Sequence, residues 1–241
     1  MRQPAYYRQL DEVQISQTLR RLRDRVAERF PGSGLANVAS ELVVLSEEAF
    51  ECVAYVRRPN WPIRVTVGIV IAAMAAIVGI GVWNVHVPGK VNSFSELVQM
   101  LDASVNDIVF LGVAIFFLAT LEMRLKRRKS LRALQQLRSV VHIVDMHQLT
   151  KDPERLMSPQ PDTTSSPERV MSAPELGRYL DYCSEMLSLT SKIAASFVSR
   201  FDDPVVLSTV NEIETLVTGL SGKIWQKITL LERATSRQTL T

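Results

Sequence analysis

The densest concentration of side chains able to do chemistry is His142-Ile-Val-Asp145-Met-His147, where two of the three histidines flank a carboxylate. On a helix advancing about 100° per residue, His142 and Asp145 lie roughly 60° apart and can touch, whereas His147 falls about 160° from Asp145. One straight helix cannot gather all three around an ion. A zinc or iron site would need ligands from a second helix, and neither an HExxH nor a Glu-x-x-His pair occurs. No metal or cofactor is therefore expected. Val140, Val141, Ile143, Val144, Met146 and Leu149 surround the segment on nearly every face, which predicts the central helix of a bundle. Buried polar groups need partners, so His142 and Asp145 are expected to satisfy one another. The alternative is a ligand-sensing cluster of His142, Asp145 and His147.

Other reactive residue types are scattered. The chain has no Gly-rich phosphate loop, nucleophile elbow or CxxC pair. Cys52 and Cys183 match neither a disulfide framework nor a zinc pattern, and are expected to be reduced thiols. An enzyme is not expected.

The positioning elements explain the composition. Of 241 residues 46% are hydrophobic and 22% charged, and mean hydropathy is +0.07. That is too apolar for disorder and too charged for a polytopic transporter. From Val65 to Val82 there is no charge, and with Trp61, Pro62, Ile63 and Trp83 the length spans a hydrocarbon core of roughly 30 Å. The tryptophans fall at the two interfaces. Ile108 to Leu121 is a second apolar run, extended by Val105, Met123 and Leu125. The expected fold is thus all-α, a two-span transmembrane helical hairpin with a cytoplasmic antiparallel helical bundle.

Lysines and arginines set the orientation. Arg57, Arg58 and Arg64 precede the first span, and Arg124, Lys126, Arg127, Arg128, Lys129, Arg132 and Arg138 follow the second. The connection between them carries Lys90 against Glu96, Asp102 and Asp107. Both termini are expected on the cytoplasmic side of a bacterial inner membrane. Setting these juxtamembrane cations aside turns the formal +3 negative, so the basicity predicts anionic inner-leaflet lipid near Arg124, Lys126, Arg127, Arg128 and Lys129 and no nucleic acid.

The expected segments are 1–60, an N-terminal helical hairpin; 61–84, the first span; 85–106, a short external connection with an amphipathic stretch Phe94, Leu97, Val98 and Leu101; and 107–125, the second span. Residues 126–151 continue the second helix, 152–172 read as a flexible linker rich in Pro, Ser and Thr, and 173–241 form a C-terminal helical pair. Pro31, Gly32 and Gly34 break the first two helices apart. Ser172-Ala-Pro174-Glu175 reads as a capped helix start, and Asp202-Asp203-Pro204 as another.

Two further sets are singled out. Arg64 and Glu122 carry opposite charges at similar depth and are expected to form an interfacial ion pair. Gly68, Ala72, Ala76 and Gly79 on one span, with Gly112 and Ala119 on the other, are expected to let helices pack closely, within a chain or between copies. The plan of N-terminal helices, two spans with a short outer hairpin and a helical C-terminal part resembles several bacterial two-span families, including the SLATT-type effectors of nucleotide-triggered defence systems. That resemblance implies a membrane pore. The excess of helical stripes over catalytic motifs implies instead an oligomeric scaffold that docks a cytoplasmic protein partner.

Overall fold

The computed structural model describes residues 10–85, 94–151, 153, 171–199 and 201–238, and these are all-α with no strand. Six helices follow in order: α1 Glu12–Arg29, α2 Gly34–Arg57, α3 Trp61–Val85, α4 Phe94–Leu149, α5 Ala173–Val198 and α6 Pro204–Gln238. They form two compact units, one made of Met1–Arg57 with Lys129–Thr241 and one of Arg58–Arg128. The linker expected over 152–172 falls mostly outside the described residues, as does 86–93 of the connection between α3 and α4.

The first unit is a bundle in which α1 packs on α2, α5 packs on α6, and α5 meets both α1 and α2. Its core follows the helical period. Ile15, Leu19, Leu22 and Val26 are the buried face of α1, and Ser130, Leu134, Leu137, Val141, Val144 and Gln148 form a buried stripe on α4 with polar residues at both ends. Spacings of three and four put such residues on one face, and burying them offsets the entropy of ordering helices that would be marginal alone.

The helix starts are local chemistry. The Asp11 carboxylate accepts the N–H groups of Val13 and Gln14 at 2.9 and 3.3 Å. Glu175 accepts the Ser172 N–H and hydroxyl at 2.8 and 2.7 Å, and Asp203 accepts the N–H groups of Val205 and Val206. Each carboxylate satisfies donors that have no partner inside the helix. The α1–α2 turn needs Gly32, whose φ of 68° lies in the left-handed region that side chains with a Cβ resist. Phe30, ending α1, sits edge-on to the rings of Tyr179 and Tyr182 with centroids 5.4 and 6.3 Å away.

The second unit contains α3 and the opening of α4. Half-buried residues fall on one stripe of each helix, Ile63, Val67, Ile71 and Met74 on α3 and Leu111, Ile115, Leu118 and Leu121 on α4. The outward faces are apolar: Val65, Ile69, Phe110, Val113 and Phe116 are all more than half exposed. One helical stretch, within Gly34–Ala76, is long and apolar enough to cross a membrane, and none of its qualifying window is buried. Since the buried residues of α2 run to Val56, that window lies beyond them, in the lead-in to α3 and its first turns. Only this one span meets the measure among the described residues. On α4 the run from Val109 is interrupted by Glu122, Arg124 and Lys126 before it reaches the same length. The amphipathic stretch placed in the external connection is helical and continuous with the second apolar run, forming the start of α4, with no proline to end it between Phe94 and Leu149.

Candidate functional site

The most tightly built polar constellation lies where α3 begins. Glu122, on α4, is 8% exposed, and a carboxylate so covered must be matched on every lone pair. Its Oε2 accepts the Arg64 Nε–H at 2.7 Å. Oε1 accepts the Lys126 ammonium at 2.8 Å and the Asn60 backbone N–H at 3.1 Å. Lys126 also donates to the Arg58 carbonyl at 2.8 Å. One carboxylate thus holds the start of α3, through a guanidinium and a helix-end N–H, while its own i+4 lysine holds Arg58, two positions before Asn60. The arrangement is a clasp of one carboxylate shared by two cations, in which every charged group is engaged in an ion pair.

The structure therefore brings Arg64 and Glu122 together, and it adds two participants that pattern reasoning did not assign. The Glu122/Lys126 spacing was the available signal, since residues four apart share a face. Lys126, expected beside anionic lipid with its basic neighbours, is instead 7% exposed and engaged inside the clasp, because Glu122 one turn earlier draws it inward. Arg124 lies with its guanidinium carbon 4.9 Å from the Phe117 ring centroid, and the Lys129 ammonium 4.1 Å from that of Tyr55. Arg128, like both of these, is exposed.

The small residues expected to mediate helix packing do not do so within the chain. Gly68, Ala72, Ala76, Gly79, Gly112 and Ala119 are all exposed, and a Cβ added at any of the three glycines would meet nothing within 4 Å. The half-buried stripes of α3 and α4 are built from larger side chains, which leaves the small faces outward.

The His142, Asp145 and His147 cluster is dispersed. His142 is exposed, and Asp145 accepts its hydrogen bond from Gln148 Nε2 at 2.6 Å instead. The buried His142–Asp145 pair is thus corrected. The core stripe runs through Val141, Val144 and Gln148, and that turns His142 to the outside. His147 is half-buried against the start of α2, where a Cβ on Gly34 would collide with its Cε1. The missing side chain at Gly34 is what admits the ring. Among the described residues no three His, Cys, Asp or Glu side chains are placed to hold a metal ion.

Both cysteines are free and buried. Burial pushes the Cys183 thiol up to about 12, against smaller opposing influences from Lys227 and Lys151. Burial also raises the Cys52 thiol, opposed by the Lys129 charge and the Ser130 hydroxyl. Neither is a ready nucleophile, because the reactive species is the thiolate.

Comparison of the chain with family models, curated proteins and solved structures finds no match.

Proposed function

We propose that the chain is an integral protein of the bacterial inner membrane with both termini cytoplasmic. In this reading α3 and the first part of α4 insert as a two-span hairpin, and the bundle docks a soluble partner as part of a homo-oligomeric scaffold. The observation that carries it is the outward apolar surface of the Arg58–Arg128 unit, in contrast to the buried core of the bundle. Apolar side chains exposed in such density need a lipid or protein solvent. The exposed cations Arg124, Arg128 and Lys129 then meet anionic headgroups, while the clasp around Glu122 closes the hairpin.

The outward small residues favour association between copies, since close backbone approach drives helix pairing in lipid. A second reading, an oligomeric two-span pore, draws on the same residues. Thr66 and Thr120 are the few polar residues available to line a path, and against the pore the Thr120 hydroxyl bonds the Phe116 and Phe117 carbonyls of its own helix at 3.0 and 3.1 Å. Reporters active only in the cytoplasm, fused at residues 10 and 235 and inserted near Lys90, test the topology. The two terminal fusions should work and the insertion fail. Activity at a single terminus overturns the two-span reading. Native mass spectrometry in mild detergent separates the scaffold from the pore, because a monomer or dimer is too small to enclose one.

A further inference from the structure

Three ion pairs link helices across the surface of the bundle: Arg20 with Glu47, Arg25 with Glu185 and Arg138 with Glu212. Between α2 and α4 that pattern is broken. A groove there has Glu48 and Cys52 on its α2 wall and Lys129, Arg132, Ala133 and Gln136 on its α4 wall. It stays open because Cys52 and Ala133 are small where the two helices face each other. Among the described residues, neither Lys129 nor Arg132 pairs with a carboxylate, and Glu48 pairs with no cation. Two cations and one carboxylate share a cleft without neutralising one another. Lys129 is held instead over the Tyr55 ring.

We infer that this groove binds a phosphate ester carrying a primary amine, of the phosphoethanolamine type, with the phosphate on Lys129 and Arg132 and the ammonium on Glu48. A guanidinium fork beside an ammonium is suited to phosphate oxygens, and the Gln136 amide adds a neutral donor. A plain anion would face Glu48 with like charge, and a plain cation would face Lys129 and Arg132. A ligand with both signs meets each wall with its complement. The net negative charge of the free monoester at neutral pH also balances a groove with one excess positive charge. The ligand is either soluble phosphoethanolamine or the headgroup of phosphatidylethanolamine, a phosphodiester zwitterion that shares the phosphate and the ammonium but carries no net charge. The inference does not rest on the membrane reading, because both walls belong to the Met1–Arg57 and Lys129–Thr241 unit.

Calorimetric titration of the full chain, in maltoside micelles free of phosphate, with phosphoethanolamine is the test. Saturable binding with a dissociation constant on the order of 1 mM or tighter is expected. Arg132→Gln should weaken it about tenfold, the loss of one charge-assisted contact. Glu48→Gln should weaken phosphoethanolamine but not glycerol phosphate. Ala133→Leu fills the groove without touching a charge and should abolish binding, with thermal melts confirming that each variant folds. Absence of binding at roughly 10 mM overturns the proposal. So does wild-type affinity in both Arg132→Gln and Ala133→Leu, or a Glu48→Gln variant that binds both compounds as before. In nanodiscs, phosphatidylethanolamine competing with the free compound assigns the groove to lipid. Equal binding in phosphatidylethanolamine and phosphatidylglycerol nanodiscs assigns it to the soluble ester.

Discussion

Lys227 of α6 donates its ammonium to the carbonyl oxygen of Gln148 at 2.8 Å, and reaches the Lys151 carbonyl at 3.3 Å. The Gln148 carbonyl also accepts the Lys151 N–H at 3.1 Å, and it sits at the negative end of the α4 dipole, where the last turn's carbonyls lack the usual i+4 donors. A lysine from another helix therefore adds a second donor and a compensating charge, and ties α4 to α6. Lys227→Met is expected to destabilise the bundle by about 1–2 kcal/mol. Urea unfolding followed by circular dichroism measures this, and an unchanged midpoint would show that water caps the helix equally well.

The clasp around Glu122 is asymmetric, and its variants should rank accordingly. Arg64 is 57% exposed whereas the Glu122 and Lys126 side chains are 11% and 7% exposed. Glu122→Gln leaves a covered ammonium short of its counter-charge and should cost about 3 kcal/mol, while Arg64→Gln should cost under about 1 kcal/mol. Adding Lys126→Met to Glu122→Gln should recover part of the loss. Equal costs for the two single changes, measured by denaturant titration in micelles, would reject this ranking.

His142→Ala should change stability by less than about 0.5 kcal/mol, because the ring is exposed. Asp145→Ala frees the Gln148 amide N–H inside the bundle and should cost about 1 kcal/mol or more. Thermal melts of the two variants side by side check this. Equal losses would restore a His142–Asp145 partnership.

Gly32→Ala should cost about 1 kcal/mol although an added Cβ would touch nothing within 4 Å. The expense is conformational, from holding a residue with a side chain at φ 68°. Gly32→Asn should cost less, since Asn visits that region more readily, and equilibrium unfolding of both variants reads the difference.

Alkaline pH should unfold the bundle through Cys183. Its folded thiol is raised to about 12 by burial, while an unfolded thiol ionises near its ordinary 9.0. The contribution is fully present below the unfolded value and is lost as pH rises from there toward the folded one. Melting temperature should accordingly fall between those limits, and Cys183→Ala should flatten the decline. A variant that falls as steeply as the wild type would place the sensitivity elsewhere.

The features legible in sequence were those decided within a few residues. Ile15, Leu19, Leu22 and Val26 announce a buried face through their spacing, and Ser172, Pro174 and Glu175 announce a helix start through capping chemistry. His142 and Asp145 were misread because neighbouring positions on a helix do not reveal which arc the partners cover. Lys126 looked like its basic neighbours, and only the path of the preceding loop shows that it turns inward to the Arg58 carbonyl. The reach of Lys227 to Gln148 is invisible to any local pattern, because 79 positions separate the two residues.

The bundle is discontinuous in the chain, with Met1–Arg57 completed only by Lys129–Thr241. During synthesis α1 and α2 emerge before the helices that bury Leu35, Leu42 and Val53 exist. At roughly 5–20 residues per second the wait is on the order of ten seconds, with the intervening α3 and α4 made in between. The amino-terminal pair must spend that interval as a half-built surface, exposed until the C-terminal helices arrive. Ribosome stalling beyond residue 151 should prolong that interval, and release of the C-terminal helices should close it.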